Sequence, residues 1–232
     1  MGTQALLDCG RYFLSVIFKI VSFDVEGTLI TRKFSQVVWE EAIPDLYARK
    51  KGISFDDAKV RVMREYAKVG DGRAEWYDIR YWFNHFGLTN PERLLNEHKQ
   101  EITLYPEASG VLKDLGKNHK LIVSSNSSRE FLKLELEKLD RHFHRVYSAT
   151  SDFHQVKKTN QVYEEICRLL DVKPSEMVHV GDLLEDDFRA PRKAGVFAYH
   201  LDRTAEKSDE FVLKDLEEFK ARIEEQERTR FC

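Results

Sequence analysis

Two carboxylates at the end of an apolar run are the residues of this chain best suited to chemistry. In Phe18-Lys-Ile-Val-Ser-Phe-Asp-Val-Glu-Gly-Thr-Leu-Ile30, Asp24 and Glu26 stand two positions apart, directly before Gly27. Residues i and i+2 of an extended segment project to the same side, so both carboxyls can face one small volume past the strand's carboxyl end. Ligands of open α/β sheets bind at that end. Gly27 lets the backbone turn sharply and approach a ligand closely. A second acidic turn, Met177-Val-His-Val-Gly-Asp-Leu-Leu-Glu-Asp-Asp187, follows another apolar run and supplies Asp182, Asp186 and Asp187. In a parallel sheet both tips lie on one edge, where clustered carboxylates are costly unless a cation or a proton neutralises them. An oxygen-only donor set suits magnesium.

A sheet must position these tips. Strands are expected at Lys19 to Phe23, Lys120 to Ser124, Arg145 to Ala149, Met177 to Val180 and Val196 to Leu201, alternating with helical segments. That alternation is the pattern of a parallel sheet covered on both faces. Between the first two strands, residues 31–104 carry helical periodicity. Ser35 opens a helix that Pro44 kinks or restarts and Gly52 ends, and Ser54 precedes another running towards Gly70. Ala74 to Phe86 forms a third, and Asn90-Pro91 reads as a cap followed by proline at the first helical position. The expected fold class is α/β: a Rossmann-like parallel sheet flanked by helices, formed by residues 1–30 and 105–232, with an inserted α-helical bundle over residues 31–104. Trp39, Trp76 and Trp82 all fall in the insertion with Tyr77, Tyr81, Phe83 and Phe86, and read as its core. Some of them could also wall a substrate pocket. Arg73 and Arg80 could meet an anionic substrate or simply be solvated. His142 and His144 have no neighbouring ligands and read as ordinary positions, and His179 as packing within a strand.

Taken together, the motifs resemble the haloacid dehalogenase-like hydrolase superfamily over nearly the whole chain. The first motif of that superfamily, Asp-x-Asp-x-Thr, is similar to Asp24-Val-Glu-Gly-Thr28, with glutamate for the second aspartate. The fourth, Gly-Asp followed by a further acid, is similar to Gly181-Asp182 with Asp186 and Asp187. Leu121-Ile-Val-Ser-Ser-Asn126 resembles the second motif and points to Ser125. Lys157 resembles the third-motif lysine, because Val162 and Tyr163 then match the apolar pair that usually follows; Lys158, standing where the family usually has proline, is the alternative. The resemblance implies Asp24 as nucleophile and Glu26 as the acid serving the leaving group. It implies a grip on the phosphoryl group by Ser125, Asn126 and Lys157, and Mg2+ held by Asp24, the Glu26 backbone carbonyl and Asp182. Asp186 and Asp187 would orient metal waters or the lysine. The implied activity is a Mg2+-dependent phosphatase acting on a small phosphorylated metabolite through an aspartyl-phosphate. The alternatives are a 2-haloacid dehalogenase-type hydrolase using Asp24 and the lysine without metal, and a noncatalytic binding module.

Composition sets outer bounds. A chain of 232 residues can bury a substantial core in one or two domains. A net charge of -3, with both signs spread along the chain, gives no electrostatic footprint for nucleic acid. Charged residues make up 33% of the chain, against an ordinary level of about 25%, which favours a surface rich in ion pairs. Cys9, Cys167 and Cys232 are odd in number and form no Cys-x-x-Cys pair, so neither a disulfide framework nor a zinc site is expected, and a reducing cytoplasm fits best. The run from Tyr12 to Phe18 is too short to span a membrane and reads as the approach to the first strand. Met1 to Gly10 have no assigned job. A monomer or homodimer is expected.

Overall fold

Strand β1, Ile20–Phe23, is buried along its whole length, and its alternation feeds two apolar layers. Val21 and Phe23 join a cluster with Leu112, Leu132 and Phe219 on one side of the sheet. Ile20 joins Ile122, Val162 and Ile166 on the other. Burial on both faces is what selects a parallel sheet for such a run. A computed structural model describes residues 18–205 and 209–228. The first strand is joined by β2 (Lys120–Ser125), β3 (Arg145–Ser148), β4 (Met177–Gly181), β5 (Phe197–Leu201) and β6 (Val212–Leu213). Every pairing is parallel, in the order β3-β2-β1-β4-β5-β6. Phe23 lies level with Val123 on one side and with Val180 on the other. Three strand tips therefore emerge side by side, carrying Asp24, Ser125 and Asp182.

The chain leaves the sheet at Ile30 and returns beside it, where Ile30 bridges Leu104 in antiparallel fashion. Between these points lie α1 (Lys33–Val37), α2 (Ile43–Lys51), α3 (Phe55–Val69), α4 (Ile79–Phe86) and α5 (Pro91–His98). They share an apolar cluster in which Phe34, Tyr66, Trp82 and Phe86 are buried. The remaining helices are α6 (Ala108–Leu115), α7 (Arg129–Glu135), α8 (Ala149–Asp152), α9 (Asn160–Leu170), α10 (Ala190–Lys193) and α11 (Leu216–Arg228). Phe131 of α7 packs into the cluster of the inserted helices, so the two layers share a seam.

Local chemistry explains where the elements depart from expectation. The first helix opens at Lys33, and Ser35 lies inside it, donating to the Arg32 carbonyl. Pro44 supplies no N–H to the preceding turn, and the stretch just before α2, Val38–Ala42, widens to π geometry. The segment expected as one helix from Ala74 to Phe86 divides at Asp78, whose carboxylate accepts from the N–H groups of Arg80 and Tyr81 and so caps α4. Asn90 does not cap α5 through its side chain; its backbone is left-handed, with φ 67°. Ser54 caps α3, accepting from the Asp57 N–H. The two-residue strand β6 carries too little pattern to be read from sequence.

Among the described residues, no helix is long and apolar enough to cross a membrane. Cys167 is a buried free cysteine, and burial pushes its thiol up to about 11. Cys9, Cys232, the segment Met1 to Gly10 and the approach from Tyr12 to Ile17 lie outside the described residues.

Candidate active site

The backbone around Asp24 is fixed first. Its N–H donates to the Val180 carbonyl at 3.0 Å, tying the β1 tip to β4. Beyond it the chain closes tightly, with Leu29 N–H donating to Val25 O at 2.8 Å and Gly27 N–H to Ile30 O at 2.7 Å. Gly27 is left-handed, with φ 79°. This loop is clamped from the opposite side by Arg203, which donates to the Gly27 and Thr28 carbonyls at 3.2 and 2.8 Å, pairs with Glu107 at 2.8 Å and stacks on Tyr105.

Asp24 is 5% exposed, and its charge partner is Lys158. The ammonium lies 2.5 Å from Asp24 Oδ1 and 2.5 Å from Asp187 Oδ1, and it donates to the Ser124 carbonyl at 3.1 Å. Lys157, the residue expected in this position, points the other way and pairs with Asp71 at 2.7 Å at the cavity rim. The correction has a simple cause: Asn126 Oδ1 accepts from the Lys158 N–H at 2.8 Å, and that anchor turns the Lys158 side chain inward. The adjacent side chain in such a segment then faces outward.

Behind the lysine lies a relay of buried groups. His179 is not mere packing: one ring nitrogen lies 2.9 Å from Asp187 Oδ1 and the other 2.9 Å from Ser22 Oγ. Burial lowers its pKa, so the ring is neutral and serves as a hydrogen-bond spacer. Burial pushes Asp187 upward, but Lys158 and His179 outweigh it and hold the carboxyl well below the usual carboxylate range. Asp187 Oδ2 accepts from the Leu183 N–H at 3.0 Å, so both oxygens are engaged. Asp186 accepts from Asn126 Nδ2 at 2.8 Å. Asn126 therefore brackets the lysine backbone on one side and Asp186 on the other.

Asp24, Glu26, Ser125, Asn126, Asp182 and Asp186 line one cavity of about 830 Å³ between the sheet edge and the inserted helices. Lys157 lines its rim, whereas Asp187 is buried beneath it. Ser125 Oγ accepts from the Ser127 N–H at 3.2 Å. Arg73 and Arg80 are not on the cavity wall: Arg73 pairs with Glu75, and Arg80 bridges Glu92 and Glu130. The arginine that does reach the site is Arg32, which lies 2.6 Å from Asp182 Oδ2. Nothing near it in sequence marked it out.

The electrostatics are dominated by burial. Desolvation raises Asp24, with Lys158 opposing and Asp187 and Asp182 adding to the rise. It also raises Asp182, against the pull of Arg32. Glu26 is pushed up to about 7 by burial, with Ser35 and Arg32 opposing. Glu135 of α7, only 1% exposed, is raised well above the ordinary carboxyl range by burial and then by Glu26. The Glu135 and Glu26 carboxyls interact as a hydrogen-bonded pair, which keeps a proton on Glu135.

A cation fits this arrangement. One oxygen each from Asp24, Asp182 and Asp187 lies within 4.8 Å of the others. Asp187 is already consumed by its own partners, which leaves Asp24 and Asp182 as side-chain donors. Asp182 Oδ1 is buried with no hydrogen-bond partner among the described residues, an orphaned acceptor that a cation would satisfy. An all-oxygen set favours a hard ion such as magnesium over softer metals.

Residues 18–195 match the family model described as haloacid dehalogenase-like hydrolase. Glyceraldehyde 3-phosphate phosphatase of Pyrococcus furiosus is 26% identical over 191 residues, covering 77% of this chain and 78% of that protein. GMP/IMP nucleotidase YrfG of Escherichia coli is 24% identical over 170 residues, covering 70% of this chain and 73% of that protein. The crystal structure of a HAD phosphatase from Thermococcus onnurineus aligns with a TM-score of 0.77 at 26% identity, covering 88% of this chain and 97% of that one. The family match takes in the acidic tips of both β1 and β4, and the chain belongs to the haloacid dehalogenase-like hydrolases.

Proposed function

We propose that this hydrolase is a magnesium-dependent phosphatase that cleaves a phosphomonoester through an aspartyl-phosphate on Asp24. The observation that carries this reading is the juxtaposition of Asp24 with one buried ammonium, Lys158, and one half-satisfied carboxylate, Asp182. An anionic nucleophile can meet an anionic phosphate only where fixed positive charge offsets both. The names of the relatives, a phosphatase from Pyrococcus furiosus and a nucleotidase from Escherichia coli, support the same reading.

Magnesium held by Asp24, the Glu26 backbone carbonyl and Asp182 would neutralise charge on the phosphoryl oxygens. The chain's own groups do the rest. A carboxylate oxygen of Asp24 attacks phosphorus, and the bond from phosphorus to the ester oxygen breaks. Glu26 gives its proton to the departing oxygen, which leaves as the alcohol. Water then attacks the phosphorus of the aspartyl-phosphate and loses a proton to the Glu26 carboxylate. The Asp24–phosphorus bond breaks, and inorganic phosphate departs. Lys158 and Ser125 steady the phosphoryl oxygens, while Asp187 and His179 hold Lys158 in place.

The test is hydrolysis of p-nitrophenyl phosphate by purified protein, with magnesium and with chelator, beside Asp24→Asn. Turnover that needs both magnesium and Asp24 supports the proposal. Turnover that survives in chelator, or in Asp24→Asn, would sink it.

A further inference from the structure

The cavity is large for its chemistry. Its volume of about 830 Å³ lies towards the top of the range of about 300–1,000 Å³ in which ligand sites enclose most of a drug-sized molecule. A three-carbon phosphate anchored at Asp24 would leave most of that space to water.

The walls are flat and aromatic. Trp39 is partly exposed on the cavity, and its ring plane is set by neighbours: Phe131 stacks on it at 5.4 Å and 15°, and Tyr66 meets it edge-on at 6.0 Å and 85°. Trp76 and Tyr77, from the short turn 74–77, and Met63 of α3 complete an apolar surface. Faces of this kind bind rings by stacking, and do so best when their orientation is fixed beforehand. Behind that surface the Tyr66 phenolic oxygen is buried with no hydrogen-bond partner among the described residues.

The charges narrow the choice. Residues 33–101 contribute no lysine, arginine or histidine to the cavity wall, but they do contribute the carboxylates Glu40 and Asp71. Lys157, on the facing wall, is paired with Asp71. Arg32 is paired with Asp182 at the phosphate end. A second phosphate or carboxylate reaching the inserted helices would meet Glu40 and Asp71 and, opposite them, a Lys157 already engaged by Asp71, whereas N–H and O–H donors would be welcome there.

We infer that the substrate is a phosphomonoester whose alcohol carries an aromatic ring at nucleoside size and no second anionic group. The inference rests on the phosphatase reading above and deepens it. Trp39 would act as a specificity-determining residue, touching the ring and not the phosphate.

The experiment compares kcat/KM in magnesium for adenosine 5′-monophosphate, inosine 5′-monophosphate, adenosine 3′,5′-bisphosphate and D-glyceraldehyde 3-phosphate, with p-nitrophenyl phosphate as the common reference. The better nucleoside monophosphate is expected to exceed glyceraldehyde 3-phosphate by about tenfold or more, the scale of one good ring stack, and adenosine 5′-monophosphate to exceed the bisphosphate similarly. Trp39→Ala should lower the ratio of nucleotide to triose phosphate at least fivefold, and Trp39→Phe should restore it. A preference for the triose phosphate, or a ratio indifferent to Trp39→Ala, overturns this inference while leaving the phosphatase reading intact, provided p-nitrophenyl phosphate is turned over with magnesium and Asp24. Absence of that reference activity removes both.

Discussion

The ammonium of Lys158 lies 2.5 Å from Asp24 Oδ1 across 134 positions of sequence, and the same nitrogen lies 2.5 Å from Asp187. One cation thus serves two buried carboxylates, and desolvation has not neutralised it: burial pulls the Lys158 pKa down, but Asp187 and Asp24 raise it above the ordinary lysine value. Lys158 therefore keeps its positive charge between the two carboxyls.

Removing that cation leaves two uncompensated carboxylates in the interior. Lys158→Met is expected to cost about 3–5 kcal/mol of stability, the scale for breaking a buried pair. It should also lower kcat by about 10²–10³, the scale for losing one transition-state charge contact. Lys157→Ala removes only a rim pair with Asp71 and should shift the melting temperature little. Denaturant melts and p-nitrophenyl phosphate kinetics on both variants check this. Equal losses at the two positions would mean that the inward lysine has no special place.

Glu26 must carry a proton to serve the leaving group, and burial holds its carboxyl at about 7. The protonated fraction falls as pH rises through that value, so kcat on an alkyl phosphate should decline on the alkaline side. Magnesium beside the residue would move the limb to lower pH. Glu26→Gln should abolish the limb and lower kcat by about 10²–10⁴, with a smaller loss on p-nitrophenyl phosphate, whose leaving group needs little help. Comparable losses on both substrates would argue against the acid role.

The buried acids also predict how the metal-free protein responds to pH. Asp24, Glu26 and Glu135 all have raised pKa values in the folded chain. Above the unfolded value of about 4, the unfolded chain has released protons that the folded one keeps, so stability falls as pH rises. Asp187 has the opposite sign: its stabilisation is present above about pH 4 and is lost on further acidification. The melting temperature in chelator should therefore drop between about pH 5 and about pH 8, and magnesium should recover much of it. Glu135→Gln removes the titrating carboxyl that pairs with Glu26 and should flatten that slope. A melting temperature indifferent to pH, or a slope unchanged in the variant, would contradict the assignment.

Much of this site is written in short segments. Asp24, Glu26 and Gly27 follow one strand, Gly181 ends another and Asp182 follows it, and a parallel sheet is enough to bring them together. The choice between Lys157 and Lys158 was beyond pattern reading because it turns on which of two neighbours the loop aims inward, and that is set by Asn126, 32 positions away. Arg32 and Arg203 were missed for a related reason. Each acts at long range, Arg32 on Asp182 and Arg203 on the carbonyls of Gly27 and Thr28, and neither sits in a motif that announces its partner. The relay from Ser22 through His179 to Asp187 was hidden because a histidine inside an apolar strand looks the same whether it packs or bridges.

Arg203 offers a clean test of how far the loop after Asp24 depends on outside support. Arg203→Met keeps an apolar stem against Tyr105 but deletes the donors to two loop carbonyls and the pair with Glu107. Loss of about 1–3 kcal/mol of stability is expected from hydrogen bonds made by a charged group. Because the Glu26 carbonyl belongs to the same loop, half-saturation by magnesium should also need several-fold more metal. A variant that melts earlier but binds magnesium normally would restrict Arg203 to a structural role.

Gly27→Ala probes the contact between the two acidic turns. At φ 79° the backbone is left-handed, and a Cβ built there would lie 1.8 Å from Asp182 Oδ2 and 2.5 Å from its Cγ. The left-handed alanine alone costs about 1–2 kcal/mol, which a domain of this size tolerates. The steric conflict cannot be absorbed so easily: Asp182 is held by Arg32 and flanked by the buried Gly181–Asp187 contact, so its carboxylate must swing away from Asp24. The expected outcome is a folded protein with a modestly lowered melting temperature whose magnesium affinity, measured by titration calorimetry, falls tenfold or more. Wild-type affinity in that variant would mean that Asp182 does not hold the ion.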